Sequence, residues 1–290
     1  MALKDIESLF DSPLNYGIVY QYTKWPALFG MIRTKRDGDT CKPYFGIRLY
    51  NAAFMNDDEE CRLGYQAFLD ELKKHKSYFG KKLTEKQFEA IQKRILDRQP
   101  KYYLASFAMA EDCLPMWRSY GGEGSGISIG LDASVIANNG ISLNRCIYDP
   151  IRITSIVRSL CMHAEEDNDS FTDEYMTLFH DFVYRLSYLA KNRHFDYEKE
   201  YRICTFFERF TNNNTASFYN GTQSYDIHFE CRGNRIVSFI DIELPIEVVR
   251  EIWIGPTNNV ESSRRSLNMW LESMGLERRI QIKTSTAPFR

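Results

Sequence analysis

The segment Phe195–Phe207 reads FDYEKEYRICTFF and joins a group of charged residues directly to an apolar, aromatic run. Because side chains alternate between the two faces of a strand, an extended chain from Glu198 onward places Glu198, Glu200 and Arg202 on one face. Charged groups that enter a core lose hydration unless they are paired or used. Two interpretations follow: a strand-end ion-pair cluster, or a rigidly held carboxylate beside an arginine that grips an anionic ligand.

Strands and helices are predicted on both sides of this segment from the spacing of apolar residues. The predicted strands are Gly17–Thr23, Tyr44–Tyr50, Tyr102–Met109, Ile127–Leu131, 141–149, Tyr225–Cys231, Arg235–Leu244, Val249–Gly255 and Arg279–Lys283. The predicted helices cover 59–79, 84–99, 114–120, 152–166, 172–192 and the residues from Pro256 to about Met274, with a short helix or arm at 1–15 and loops or turns at 34–40 and 211–223.

The domain organisation follows from the order of these elements. No repeat or linker divides the chain, so we predict a single domain over residues 1–290. Its fold class is α+β, with a mixed, mostly antiparallel sheet core and two helical inserts at about 59–99 and 152–192.

Charge and hydropathy argue against several classes of protein. The 290 residues are 43% hydrophobic and 26% charged, and the net charge of −2 offers no general attraction for nucleic acid. No apolar run approaches the ~18 residues that a membrane span requires. Seven scattered cysteines, an odd number, and the lack of a signal peptide favour reduced thiols in a cytoplasmic protein.

No metal-binding pattern is present in the sequence. The cysteines and the five histidines lack zinc spacing. The acidic run Asp57–Glu60 lacks the spaced pattern of a calcium loop, and acids at the start of a helix are explained by the helix dipole. We therefore expect a site without metal.

A second informative stretch runs from Met116 to Asp132, MWRSYGGEGSGISIGLD. Its glycines are neither a dinucleotide fingerprint nor a phosphate-binding loop, because a strand and not a helix follows and no lysine stands in place. A glycine-rich turn beside Trp117 and Tyr120 permits two interpretations. Either a ligand lies against the backbone between aromatic rings, or the stretch is a tight hairpin with an aromatic lid on the core.

These segments together resemble a bacterial family, the domain-of-unknown-function family 2971. The resemblance runs in the same order through nearly the whole chain, in the segments YQYT (20–23), IRLYNAAFMNDDEE (47–60), SFAMAEDCLPMWRSYGGEGSGISIGLD (106–132), CIYD (146–149), YEKEYRI (197–203) and VREIWIGP (249–256). It implies an ADP-ribosyltransferase-like fold, with NAD as substrate, and an association with phage defence or toxin-like systems. Fold alone does not fix function.

The resemblance gives the two glutamates catalytic roles. Glu200 would stabilise the oxocarbenium-like ribose that forms as nicotinamide leaves, and would bind the ribose hydroxyls. Glu198 would orient or deprotonate the acceptor. The E-x-E arrangement is similar to that of arginine-modifying members of the fold.

The same resemblance implies a binding site for the dinucleotide. Trp117 and Tyr120 would stack on nicotinamide, and Ser128 would brace the ribose. Arg48 or Arg202 would hold the pyrophosphate, since a guanidinium fork matches phosphate oxygens.

One position departs from the pattern of such transferases. Their first strand usually offers His or Arg to the dinucleotide, and here Gln21 stands beside Tyr22 in that segment. Glutamine forms hydrogen bonds to a ribose or an amide but carries no charge. This departure favours a degenerate version of the fold that senses a ligand.

Two functions therefore remain in view. The first is an effector that binds NAD and cleaves it or transfers ADP-ribose. The second is a non-catalytic module of a defence system that senses a nucleotide or contacts a protein partner. A nuclease is disfavoured, because the sequence lacks both a basic groove and the required Asp and Glu-x-Lys spacing.

Overall fold

A computed structural model describes residues 10–38, 40–54, 61–75, 77–78, 81–82, 84–96, 102–166, 182–210, 215–218 and 224–289. Residues 1–9 of the helix or arm predicted at 1–15, and residues 172–181 of the helix predicted at 172–192, lie outside the described residues, and residues 10–15 are not helical. The strands are β1 Ile18–Thr23, β2 Ile32–Asp37, β3 Thr40–Asn51, β4 Ser77–Tyr78, β5 Lys81–Lys82, β6 Tyr102–Ala108, β7 Ile127–Asp132, β8 Asn144–Arg145, β9 Glu200–Phe210, β10 Thr215–Phe218, β11 Ser224–Asp226, β12 His228–Arg232, β13 Arg235–Pro245, β14 Val249–Ile254 and β15 Gln281–Thr284.

The α-helices are α1 Trp25–Met31, α2 Leu63–His75, α3 Glu85–Leu96, α4 Leu114–Ser119, α5 Ala133–Asn138, α6 Pro150–Glu166, α7 182–189 and α8 Val260–Ser273. Short 3-10 helices occur at Ala52–Phe54, Arg193–Glu198 and Ile246–Val248. The fold class is α+β, with a mixed and mostly antiparallel open sheet. The described helices all lack the combination of length and apolar character that a membrane crossing requires.

Thirteen of the described strands form one sheet, and its main path runs β11-β10-β9-β6-β1-β7-β14-β15. All the strand pairs of this path are antiparallel except β14 with β15. A branch leaves the path at β6, where β3 pairs with β6 and carries β2, β13 and β12.

The branch at β6 opens a gap in the sheet. On the side of β6 that faces away from β9, Ala108 pairs with Tyr20 of β1, and Leu104 pairs with Tyr50 of β3. Ser106 is the ladder position between them, and among the described strands neither β1 nor β3 pairs with it. Strands β1 and β3 therefore diverge along a short stretch of β6, and a cavity lies where they separate.

Two apolar cores stabilise the fold. The larger core is formed by alternating residues of the sheet together with helix α8, and includes Val19, Ile129 and Leu271. The second lies between the helical inserts, where Phe68 and Leu72 of α2 pack with residues of α6 and α7. Apolar residues three and four apart give α2 its buried stripe, so the inserts bury their apolar faces largely against each other.

An ion-pair cluster around the buried Glu71, with Lys74 and Arg158 exposed to solvent, also joins the two inserts. The Glu71 carboxylate of α2 accepts hydrogen bonds from Lys74 at 2.7 Å and from Arg158 of α6 at 3.0 Å. The hydrogen bond from Lys74 and the charge of Arg158 outweigh burial and lower the pKa of Glu71 to about 2.

The structure differs from the predicted elements in several places. The strand that carries Glu200 does not begin at Glu198: Glu198 ends a 3-10 helix, and Lys199 is left-handed with φ of 43°. The predicted strand 141–149 is reduced to β8 and an isolated bridge at Ile147. Helices α1 and α5 and strand β2 were not predicted, and β10 occupies part of the predicted loop 211–223.

Candidate functional site

A cavity of about 310 Å³ lies in the gap between β1 and β3. Its volume falls at the lower end of the range for small-molecule sites. Its lining comes from β1, β3, β6, β12, the start of β9, α4 and the residue after it, Lys191 after α7, and two 3-10 helices. The lining residues are Tyr20, Gln21, Tyr22, Arg48, Tyr50, Phe54, Leu104, Ala105, Ser106, Phe107, Ala108, Met116, Tyr120, Lys191, Phe195, Glu198, Glu200 and Arg232.

One end of the cavity carries a group of buried charges, which we call the carboxylate end: Lys191, Glu198, Glu200 and Arg202. The exposed fractions of Glu198 and Glu200 are both 3%, and Arg202 is fully buried. The Nζ of Lys191 donates to Glu198 at 2.5 Å and to Glu200 at 2.6 Å, so it bridges the two acids. With two cations and two anions, the group is neutral as a whole.

Arg202 lies behind Glu200, outside the cavity lining. Its Nε and Nη2 donate to the two oxygens of Glu200 at 2.7 and 3.2 Å, and its Nη1 donates to the Tyr188 carbonyl at 2.8 Å. The guanidinium is thus directed at protein groups and does not face a ligand. Of the two interpretations from the sequence, the ion-pair cluster describes Arg202, and this cluster lies beside a cavity that Glu200 lines.

Backbone contacts fix the position of Glu200. Its N–H donates to the Tyr148 hydroxyl at 2.9 Å, and its carbonyl accepts from the Cys146 N–H at 3.0 Å. Since side chains project perpendicular to these bonds, the carboxylate is held in a fixed direction at the start of β9.

The charges of this end perturb one another strongly. Burial raises the pKa of Glu200, but Arg202 and Lys191 outweigh it and lower that pKa to about 2. Burial lowers the pKa of Lys191, and the carboxylates of Glu200 and Glu198 reverse this and raise it above its ordinary value. Glu200 and Lys191 are therefore both charged at neutral pH.

Tyr120 closes this end of the cavity toward solvent. It follows α4 and donates its hydroxyl to Glu198 Oε1 at 3.0 Å, while its side chain remains partly exposed. Burial and the nearby Glu198 charge raise the pKa of Tyr120 above its ordinary value. The phenol therefore stays protonated at neutral pH and acts as a hydrogen-bond donor.

Trp117, the other aromatic residue predicted to bind the ligand, packs in the protein core. Trp117 is fully buried, packs edge-on against Tyr22 with ring centroids 4.9 Å apart, and donates its N–H to Asp112 at 2.7 Å. Trp117 does not line the cavity, but it holds Tyr22, which does.

The glycine-rich turn also packs on protein. A Cβ on Gly126 would lie 2.2 Å from the Thr23 carbonyl oxygen, and Gly124 has φ of +80°. The glycines at 121–126 do not line the cavity. The close approach to β1 explains the glycine at 126, and the stretch is a tight turn from α4 into β7, not the predicted hairpin between two strands.

The opposite end of the cavity, which we call the guanidinium end, consists of Arg48, Tyr50, Arg232 and the adjacent Glu230. Three donors converge on the Glu230 carboxylate: Arg48 Nη1 at 2.8 Å, Arg232 Nε at 3.0 Å and the Tyr50 hydroxyl at 3.0 Å. The side chains of Arg48 and Arg232 are 35% and 51% exposed, so water reaches this end.

The separation of the two ends follows from the strand register. Ala108 of β6 lies opposite Glu200, and Leu104 of β6 lies opposite Tyr50. Four residues of strand span about 13 Å at ~3.3 Å per residue. The backbones of Glu200 at one end and of Tyr50 at the other are therefore about 13 Å apart along β6.

Polar atoms without partners lie between the two ends. Within the described part of the chain, Gln21 Oε1 and Ser106 Oγ are buried and have no hydrogen-bond partner, and both residues line the cavity. Buried polar atoms are usually paired, so these two are available to a ligand. Ser128 is fully buried on β7, beside the Tyr22 side chain, and lies outside the lining.

The structure thus brings six of the nine predicted site residues to one cavity: Gln21, Tyr22, Arg48, Tyr120, Glu198 and Glu200. Trp117, Ser128 and Arg202 are buried around it. Sequence reasoning missed Lys191, Tyr50 and Arg232. For Arg232 a signal existed, because Glu230-x-Arg232 repeats the pattern of Glu200-x-Arg202.

Comparison with known proteins supports one part of the resemblance. Residues 116–203 match the model of a family described as "Protein of unknown function (DUF2971)". This stretch is less than half of the chain, and it contains most of α4, the glycine-rich turn and the start of β9. No curated protein and no solved structure matches the chain.

Proposed function

We propose that this protein binds NAD or a related nucleotide in the cavity and cleaves it or transfers its ADP-ribose. The observation that carries the proposal is the convergence of Gln21, Tyr22, Arg48, Tyr120 and Glu200. These residues come from segments far apart in sequence, yet they line one cavity. The fold is, on this proposal, ADP-ribosyltransferase-like.

The carboxylate end supplies the charge that the reaction needs. When the bond between ribose C1′ and nicotinamide breaks, the electron pair leaves with nicotinamide, and positive charge develops on the ribose. Glu200 is ionised at neutral pH because its pKa is lowered to about 2, and it would stabilise that charge. Water or an acceptor nucleophile then bonds to C1′ and passes a proton to Glu198.

The middle of the cavity fits the polar parts of the nicotinamide riboside. Gln21 Oε1 can accept from the carboxamide N–H₂, and Ser106 Oγ can bind a ribose hydroxyl. Tyr22 and Tyr120 offer rings to the pyridine face.

A second candidate, nucleotide sensing without turnover, is favoured by the state of the glutamates. Both oxygens of Glu200 already accept hydrogen bonds from Arg202 or Lys191, and both oxygens of Glu198 are occupied by Tyr120 and Lys191. Cations so close reduce the potential that a carboxylate exerts on a developing positive charge. Such a module would bind nucleotide, and would signal through a protein partner.

The resemblance supplies the biological setting of the proposal. We place the activity in the bacterial cytoplasm, as an effector or sensor of an anti-phage defence system.

The experiment is to incubate the purified protein with NAD and to measure nicotinamide release, with Glu200→Gln beside it. We expect Glu200→Gln to lower release at least about 100-fold, as loss of an electrostatic stabiliser does. Glu71→Gln is the matched control, since Glu71 is also buried between two cations but belongs to the helical inserts. Equal release by wild type and Glu200→Gln removes Glu200 from the mechanism. Thermal stabilisation by NAD without release supports the sensing module.

A further inference from the structure

At the guanidinium end several donors share one carboxylate, and Arg48 Nε also lies 3.4 Å from Asp241 Oδ1. Arg48, Arg232 and Tyr50 converge on one carboxylate, that of Glu230, which lies on β12, a strand that pairs only with β13 among the described strands. Convergent guanidinium and hydroxyl donors are the chemistry that recognises phosphate.

We infer that Arg48, Arg232 and Tyr50 form a phosphate-binding subsite of the cavity, which the Glu230 carboxylate occupies until a ligand phosphate displaces it. The ligand class is a nucleotide whose phosphate or diphosphate binds here while its sugar lies toward Glu200. The inference rests on the proposed function in one respect, that the ligand is a nucleotide. It does not require that the protein turns this ligand over.

Stacking holds the two guanidiniums in place before a ligand arrives. The Arg232 guanidinium carbon lies 3.7 Å from the centroid of the Tyr50 ring, and that of Arg48 lies 4.4 Å from the centroid of the Phe239 ring. Arginine side chains that are already ordered lose less conformational entropy when they bind an anion. This arrangement is therefore preorganised.

The subsite keeps donors for a ligand. Of the hydrogen bonds among described residues, Arg232 makes one, from Nε to Glu230, so its Nη1 and Nη2 groups remain available. Arg48, Tyr50 and Arg232 all line the cavity. A phosphate that approaches from the cavity meets these groups without a change of the backbone.

Displacement of Glu230 is feasible because its side chain is 29% exposed. A carboxylate at such a position can turn into water and recover its hydration, whereas the buried Glu200 cannot. The exchange replaces one anion by another, and a phosphate offers more acceptor oxygens to three donors than a carboxylate does.

The test is calorimetric titration of inorganic pyrophosphate and of ADP-ribose into wild type, Glu230→Gln and Arg232→Gln. We expect Glu230→Gln to bind both probes about 10-fold more tightly, since neutral amide oxygens compete less well for guanidinium than a carboxylate does. Arg232→Gln should weaken both by about 10-fold or more. Melting curves of Glu230→Gln and Arg232→Gln verify that both variants are folded.

Glu243→Gln is the matched control, because Glu243 pairs with Lys35 at the surface and its loss changes the net charge equally. The inference is overturned if Glu230→Gln binds the probes no more tightly than wild type or Glu243→Gln does, or if wild type and all variants fail to bind either probe. If Glu230→Gln binds the probes most tightly and Arg232→Gln most weakly, but NAD releases no nicotinamide, the subsite is supported and the proposed enzyme is not.

Discussion

The two ends of the cavity are built from the same pattern and differ in burial. In Glu200-x-Arg202 and in Glu230-x-Arg232, the arginine Nε donates to Oε1 of the glutamate two residues earlier, at 2.7 and 3.0 Å. Arg202 is fully buried, whereas the side chain of Arg232 is half exposed. The same ion pair is therefore part of the folded core at one end and exchangeable at the other.

The difference has an energetic cause. A charge removed from a buried network leaves its partner without compensation, while water replaces the partner at an exposed pair. We conclude that the carboxylate end is rigid and preorganised, and that the guanidinium end can exchange its own anion for that of a ligand.

The largest effect should come from Arg202→Met, which deprives Glu200 of the cation behind it. We expect the free energy of unfolding to fall by about 3–5 kcal/mol, measured by urea denaturation. Arg232→Met makes the same chemical change at the guanidinium end and should cost about 1 kcal/mol or less. Equal losses in the two variants would contradict the distinction between the ends.

The second-largest effect is the dependence of the stability contribution of Glu200 on pH. Because the pKa of Glu200 is lowered from 4.5 to about 2, its contribution to stability is present above pH 4.5 and is lost as the pH falls through about 2. The difference in unfolding free energy between wild type and Glu200→Gln should thus be about 3 kcal/mol at pH 6 and shrink toward pH 2. Denaturation at several pH values measures it. A difference that stays constant with pH would show that Glu200 is not held as an ion.

Tyr120→Phe should have a smaller effect. The substitution removes the hydroxyl that donates to Glu198 at 3.0 Å, and Lys191 remains to neutralise this acid. We expect a loss of about 1 kcal/mol in the free energy of unfolding, the usual value for one hydrogen bond. A loss near that of Arg202→Met would mean that Tyr120 belongs to the buried network.

The smallest effect on stability is expected for Glu230→Gln. Its partners Arg48 and Arg232 are accessible to water, so the free energy of unfolding should change by less than about 1 kcal/mol. The variant should nevertheless bind pyrophosphate differently from wild type. A large loss of stability would place Glu230 among the structural ion pairs and remove the contrast between the ends.

Local patterns in the sequence were sufficient for most elements of the sheet. The strands at Ile127, Arg235 and Val249 follow runs of β-branched residues and were predicted within a few residues. The start of β9 was misplaced, because Lys199 adopts a left-handed conformation that strand periodicity does not reveal. Helix α1 was missed because it is short, and Pro26 lies at its start.

Local sequence patterns also predicted part of the candidate site. Glu200 and Tyr120 stand in conspicuous local patterns, and both line the cavity. Trp117 and Ser128 belong to the same sequence patterns but are buried outside the cavity lining. The residues next to them in the sequence do not indicate which side chains line the cavity and which are buried. Lys191 gave no signal, since a lysine after an apolar helix is usually solvated.

The sequence by itself determined the approximate position of most strands, the concentration of charges at Glu198–Arg202, and a mostly antiparallel sheet. The tertiary structure alone decided that Glu200 meets Lys191, that β1 and β3 diverge beside Ser106, and that Arg232 is exposed while Arg202 is buried. The reason is physical. The direction of a side chain along a strand follows from the local backbone. Whether that side chain is buried, and which other side chains it meets, depends on pairing between strands far apart in the sequence.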